Sequence, residues 1–207
     1  MNILLIGGSG SLINNLIIKL NKEGHRIYLL TGSRYKQAPY QKVFERYDFS
    51  YDCGCLGEIF KSINPDLTFF MGAYDTNFRW DEEREVARFS SSLVNILMAY
   101  SMNNNGRFVY LSSSEVYGIH YDADIYEEET TTPSTLSGMV IAQGEELCES
   151  FRVNMGLDVM TLRVDNLYSI PRERKEVTNI CARMCLEVME QGSNTIVRDN
   201  KISLLYE

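Results

Sequence analysis

Basic residues are in the minority in this chain: 20 lysines and arginines face 28 aspartates and glutamates, leaving a formal net charge of −8. Nucleic acid or an anionic bilayer needs a basic face to displace counterions or meet headgroups, so neither is expected as a partner. No apolar run approaches the roughly 20 residues of a membrane-spanning helix, and a soluble protein is expected. Histidine is scarce, only His25 and His120, and the five cysteines (Cys53, Cys55, Cys148, Cys181, Cys185) are odd in number and scattered. With no leader ahead of the first apolar run, the expectation is a cytoplasmic protein with reduced thiols. Cys53 with Cys55, and Cys181 with Cys185, have the spacing of half a metal site, but no histidine stands near either pair. Small buried thiols and no metal are expected.

What is present is an ordinary globular composition, 44% hydrophobic over 207 residues, enough for one substantial core. Asn2 to Ile6 is a short apolar run that meets Gly7-Gly8-Ser9-Gly10; Leu12, Ile13, Leu16, Ile17 and Leu20 then recur at helical spacing until Gly24. Ile27 to Leu30 forms a second β-rich run. Leu56 to Ile63 predicts a short amphipathic helix, and Leu67 to Met71 a third strand, entered through Asn64-Pro65-Asp66. A helix from about Glu82 to Tyr100 precedes a strand at Phe108 to Leu111, and a helix from about Gly138 to Asn154 precedes one at Val159 to Arg163. Strand and helix alternate, as a parallel sheet requires, because parallel strands need crossovers long enough to hold a helix. The polar stretch from Gly118 to Thr132, with Glu127-Glu128-Glu129, is expected on the surface. After Ile170-Pro171 the pattern weakens to a helix over about Val177 to Gln191 and a final run, Lys201 to Tyr206, that stops abruptly.

The first strand, glycine turn and helix have a chemical consequence. Backbone N–H groups at the positive end of a helix hold a pyrophosphate without any basic side chain. Gly7 permits the turn and Gly10 lets the backbone approach the phosphate, so Gly7, Ser9, Gly10, Ser11 and Leu12 are the expected cofactor contacts. After the second strand stands Thr31-Gly32-Ser33-Arg34, where an acidic residue would meet the ribose hydroxyls of NAD. Arg34 is either a partner for the 2′-phosphate of NADP or a solvated arginine.

Several segments together resemble the nucleotide-sugar epimerase and dehydratase branch of the extended short-chain dehydrogenases. Gly7-x-x-Gly10 is similar to the first part of its GxxGxxG fingerprint, with Ile13 at the third glycine. Gly24-His25, Pro65-Asp66 and Gly72-Ala73 look like landmarks around its second and third strands. Ser112-Ser113-Ser114-Glu115-Val116-Tyr117-Gly118 resembles its SSxxVYG strand end, and Arg163-Val164-Asp165-Asn166-Leu167-Tyr168 its RxxNxYGP segment. The resemblance runs from Met1 to about Pro171. It implies an α/β fold with a Rossmann-like doubly wound parallel sheet, the C-terminal substrate lobe truncated or absent. Residues 1–170 would be the dinucleotide-binding domain and 171–207 the start of a truncated lobe. The implied cofactor is NADP or NAD, with Gly72 and Ala73 beside it, and the implied partner a small-molecule nucleotide or nucleotide sugar; a homodimer stays open.

The resemblance further assigns Ser113 as the hydroxyl that polarises the substrate, Glu115 as a carboxylate beside the sugar ring and Asn166 as a substrate contact. Alternatively, Ser113 caps the strand end and Glu115 is solvated. The family's catalytic segment, ExTxxxPxSxYGxSKxxxE, is matched by Pro133, Gly138 and Glu145, but Ser137 holds the place of the tyrosine and Ile141 that of the lysine. Phe89 stands near the place of the helical asparagine. A β-branched Ile13 is expected to push the first helix outward or force repacking. Three readings follow: a dinucleotide-binding relative with degraded catalysis, an enzyme using Ser113 and Glu115 with Tyr117, or an interaction module that keeps the fold and binds no nucleotide.

Overall fold

The computed structural model describes residues 1–8, 10–32, 45–49, 56–74, 83–103, 106–119, 124–168 and 204–206. Six parallel strands form one sheet: β1 (Asn2–Ile6), β2 (Arg26–Gly32), β3 (Glu45–Phe49), β4 (Leu67–Phe70), β5 (Arg107–Ser113) and β6 (Val159–Val164), in the order β3-β2-β1-β4-β5-β6. This is the expected doubly wound arrangement. The chain starts mid-sheet, winds to one edge, returns and winds to the other. β3 was not expected, because Glu45-Arg46-Tyr47-Asp48-Phe49 carries too few apolar residues to announce a strand. Two further strands outside the expectations, β7 (Asn166–Tyr168) and β8 (Leu204–Tyr206), pair with each other in parallel; the expected helix over Val177 to Gln191 lies outside the described residues.

Because both sheet faces are covered, the central strands read as continuous apolar runs rather than alternating ones. On one face Ile3, Leu5, Ile27, Leu29, Val109 and Leu111 pack with Ile13 and Ile17 of α1 (Ser11–Lys22). On the other, Leu4, Ile6, Leu30, Phe70, Phe108 and Tyr110 meet α2 (Leu56–Ile63), α3 (Glu83–Asn103) and α4 (Leu136–Met155). α2 presents Leu56, Ile59, Phe60 and Ile63, a spacing of three and four that puts them on one stripe. It stops where Asn64 turns to φ +47° before Pro65. α4 starts under the hydroxyl of Thr135, which accepts the Gly138 amide at 3.0 Å, and ends at Gly156 in the left-handed region.

Aromatic rings fill the space under α3. Phe60–Tyr100, Phe70–Phe89 and Tyr100–Phe108 have centroids 5.3 to 6.3 Å apart in tilted pairs, each contributing about 1 kcal/mol beyond its burial. The Tyr100 hydroxyl donates to the carbonyls of Gly106 (2.8 Å) and Asp158 (3.0 Å), tying α3 to the entrances of β5 and β6. Among the described residues no helix is long and apolar enough to cross a membrane.

Candidate nucleotide site

The carboxyl ends of the strands meet on one edge of the sheet, and the winding direction reverses between β1 and β4; in doubly wound sheets the crevice lies there. Three glycines after β1 have positive φ, Gly7 (+71°), Gly8 (+72°) and Gly10 (+77°), a region that side chains resist. The turn also runs close to the end of β4: a Cβ on Gly7 would stand 3.1 Å from Gly72 Cα, and one on Gly8 3.1 Å from Met71 Cβ. α1 begins at Ser11 with Gly10 as its cap residue and no side chain capping it. Its first-turn amides therefore have no intrahelical acceptor. Glycine conformation and free amides at a helix start are what the pyrophosphate of a dinucleotide would need, so the cradle fits such a group. Ser9 and Arg34 lie outside the described residues.

Ile13 is taken up by repacking: it is fully buried with Ile3, Leu5, Ile17 and Met71, and its Cδ1 would sit 3.6 Å from a Gly8 Cβ. The bare glycine of the turn leaves room for the methyl group. Gly72 opens the short 3₁₀ turn Gly72–Tyr74, with Ala73 next to it. A side chain on Gly72 would meet the rings of Phe70 (2.8 Å) and Phe89 (3.0 Å).

Ser113 ends β5, and Glu115 lies in the 3₁₀ turn that follows. The Ser113 hydroxyl accepts the amide of Glu115 at 3.2 Å, capping the 3₁₀ turn Ser114–Tyr117. The exposed Glu115 carboxylate faces the start of α4 instead. Its Oε2 accepts from the hydroxyls of Ser137 (2.5 Å) and Thr135 (3.0 Å). Ser137, in the tyrosine's place, thus belongs to a hydroxyl–carboxylate cluster. Ile141, in the lysine's place, is only 2% exposed within the core beneath, and its carbonyl accepts the Tyr110 hydroxyl at 3.0 Å. Phe89 is buried as well. Tyr74 donates to the Ser112 carbonyl at 2.6 Å, and burial raises its pKa, so it is no acid near neutrality. Asn166 opens β7, where it pairs with Leu204.

A network that the sequence did not announce lies under this edge. Arg163 of β6 meets Glu145 of α4 through Nε (3.0 Å to Oε1) and Nη2 (2.8 Å to Oε2). Its Nη1 donates to the Tyr117 hydroxyl (2.9 Å) and the Glu127 carbonyl (3.0 Å), and its guanidinium lies 4.8 Å from the centre of the Tyr117 ring. The buried Ser112 hydroxyl donates to Glu145. The Glu145 hydrogen bonds raise the arginine's pKa, so the guanidinium stays charged. Tyr117 is thereby tied into this network through its hydroxyl and its ring. The available signal was the opposite charge of Arg163 and Glu145, one in each of two landmark segments. Cys148, on the buried side of α4, has its thiol pushed up to about 12 by that burial. Cys53, Cys55, Cys181 and Cys185 lie outside the described residues.

No curated protein matches the sequence significantly. Solved structures do match over its whole length. The UDP-glucose 4-epimerase of Thermotoga maritima, solved with UDP-glucose, is 21% identical with a TM-score of 0.81, over 100% of this chain and 69% of its own. The UDP-N-acetylglucosamine 4-epimerase of Methanobrevibacter ruminantium, in complex with UDP-N-acetylmuramic acid, is 17% identical with a TM-score of 0.81, over 99% and 68%. The Bordetella bronchiseptica enzyme WbmG, in complex with NAD and UDP, is 23% identical with a TM-score of 0.77, over 100% and 64%. The chain thus spans about two thirds of the length of these proteins, and at such identities the likeness establishes the fold. The profile of one family matches residues 3–203, covering the glycine turn, the β5 strand end and the α4 frame together. On that match the chain belongs to the NAD dependent epimerase/dehydratase family.

Proposed function

We propose that this chain binds a nicotinamide dinucleotide, NAD or NADP, at the glycine turn and has given up the tyrosine–lysine proton relay of its family. The observation that carries this reading is the rebuilt relay position: Ser137 is bound to Glu115, and Ile141 is sealed in the core. Acid–base work on a hydride-transfer substrate needs a group whose pKa lies near the working pH. A serine hydroxyl is a far weaker acid than a phenol, and a buried isoleucine supplies neither charge nor hydrogen bond. The cofactor half of the reading is supported by the Gly7, Gly8 and Gly10 geometry, the uncapped α1 and the family's NAD dependence.

When bound, the dinucleotide would supply hydride chemistry; the amides of Gly10, Ser11 and Leu12 would hold its pyrophosphate. A second reading, turnover of a nucleotide sugar through Ser113 and Glu115, draws on the exposed Glu115 carboxylate at the crevice edge. Against it, Ser113 is engaged as a cap and Glu115 Oε2 already holds two hydroxyls. Calorimetric titration with NAD and NADP tests the cofactor reading. Heat of binding is expected for the unaltered protein and its loss for Gly10→Val, whose side chain would both strain φ +77° and block the phosphate. No heat from the unaltered protein with millimolar cofactor would leave the fold an interaction module.

A further inference from the structure

The 3₁₀ turn that follows β4 straddles the carboxyl edge of the sheet. Ala73 packs against the core on the face of α2, α3 and α4, and Tyr74 against the core on the α1 face. From that turn Tyr74 reaches sideways along the edge. Its hydroxyl donates to the Ser112 carbonyl of β5 at 2.6 Å and lies 3.4 Å from the Val164 carbonyl of β6, two strands from its own. The Ser113 hydroxyl adjoins the phenol, and the carboxylates of Glu115 and Asp165 are close enough to act on it. A half-buried ring thus runs along the strand ends from β4 towards β6 and is tied at its far end to backbone carbonyls.

In a doubly wound sheet a ligand lies outside the carboxyl ends of the strands, at the point where the winding reverses. A dinucleotide held by its pyrophosphate between β1 and β4 extends one half to each side of that point, so one half runs toward β5. Tyr74 lies on that course. We infer that Tyr74 is a specificity-determining residue: its side chain bars the strand ends beyond β4 and must leave the Ser112 carbonyl before the second half of a dinucleotide settles there. The inference rests on the dinucleotide reading above and adds to it the residue that limits the ligand's reach.

Isothermal titration of NAD and ADP into the unaltered protein, Tyr74→Phe and Tyr74→Ala tests this, because ADP ends at its diphosphate and stops short of the phenol. NAD is expected to bind about fivefold tighter to Tyr74→Phe, which keeps the ring but frees it from its acceptor, and about tenfold tighter to Tyr74→Ala. ADP should bind all three proteins within about twofold. Should Tyr74→Ala fail to fold by circular dichroism, Tyr74→Phe decides. NAD affinity unchanged or lowered in the variants would overturn the inference, and the heat of NAD binding to the unaltered protein would leave the dinucleotide reading standing. A parallel loss for NAD and ADP would mark Tyr74 as a merely structural residue and overturn it equally. Absence of heat with both ligands in all three proteins would overturn the inference and the dinucleotide reading together.

Discussion

Gly144 lies in the middle of α4, where replacing glycine by alanine ordinarily stabilises a helix by about 1 kcal/mol. Here the structure reverses the sign. A Cβ on Gly144 would press against the Tyr110 hydroxyl, with Cζ of the same ring at 2.6 Å and Leu93 Cδ2 at 3.1 Å. Tyr110 has nowhere to go: it is fully buried, stacked on Phe70 at 6.0 Å, and its hydroxyl donates to the Ile141 carbonyl. Overpacking costs about 1–3 kcal/mol, and displacing a buried hydroxyl from its acceptor about 1–3 kcal/mol more. Subtracting the propensity gain leaves Gly144→Ala destabilised by about 3 kcal/mol, or roughly 6–12 °C in melting temperature for a chain of this size. Circular dichroism melts would measure it. The control is Gly57→Ala in α2, where an added Cβ meets nothing within 4 Å and a gain of up to about 1 kcal/mol is expected. Adding Tyr110→Phe to Gly144→Ala should restore part of the loss, because the oxygen goes but the ring carbon stays. A Gly144→Ala protein as stable as its parent would refute the packing assigned to α4.

Two further outcomes are expected. Burial raises the phenols of Tyr74, Tyr100 and Tyr110, that of Tyr100 to about 12, above the unfolded value of about 10. Their contribution to stability is therefore complete below about pH 10 and lost as the pH climbs through the folded values. Phenolate absorbance from these three should rise together with loss of helix, and their ionisation near pH 10 in an intact fold would contradict their burial. For cofactor choice, NADP should bind more tightly than NAD, with Arg34→Ala narrowing the gap in calorimetry; equal affinities in the unaltered protein would remove Arg34 from the site.

Legibility in the sequence followed the strength of local signals. α2 was readable to the residue because its apolar positions recur at three and four and Asn64-Pro65 ends it, and β1, the turn and α1 were announced by a buried run meeting glycines. β3 was not, since its sequence alternates charge with aromatics and its place is set by pairing with β2. The start of α4 was placed at Gly138 rather than Leu136, because the Thr135 cap shows only once its hydroxyl is seen on the Gly138 amide. At the site, the family frame located Ser113, Glu115, Ser137 and Ile141. It could not show that Glu115 turns from Ser113 to Ser137, or that Arg163 and Glu145 join, because those contacts cross 22 and 18 residues of chain. Side-chain partners set by packing between elements leave no periodic trace.

The central claim is that the chain holds its cofactor but cannot run the tyrosine–lysine route. Its most direct test is turnover of UDP-glucose, UDP-N-acetylglucosamine and UDP-glucuronic acid, with NAD or NADP supplied, by the protein in its full natural form. The account predicts no interconversion above the uncatalysed background for any of the three. Turnover at an ordinary enzymatic rate, about 1 per second or faster, would contradict it, whether or not Glu115→Gln abolished that activity.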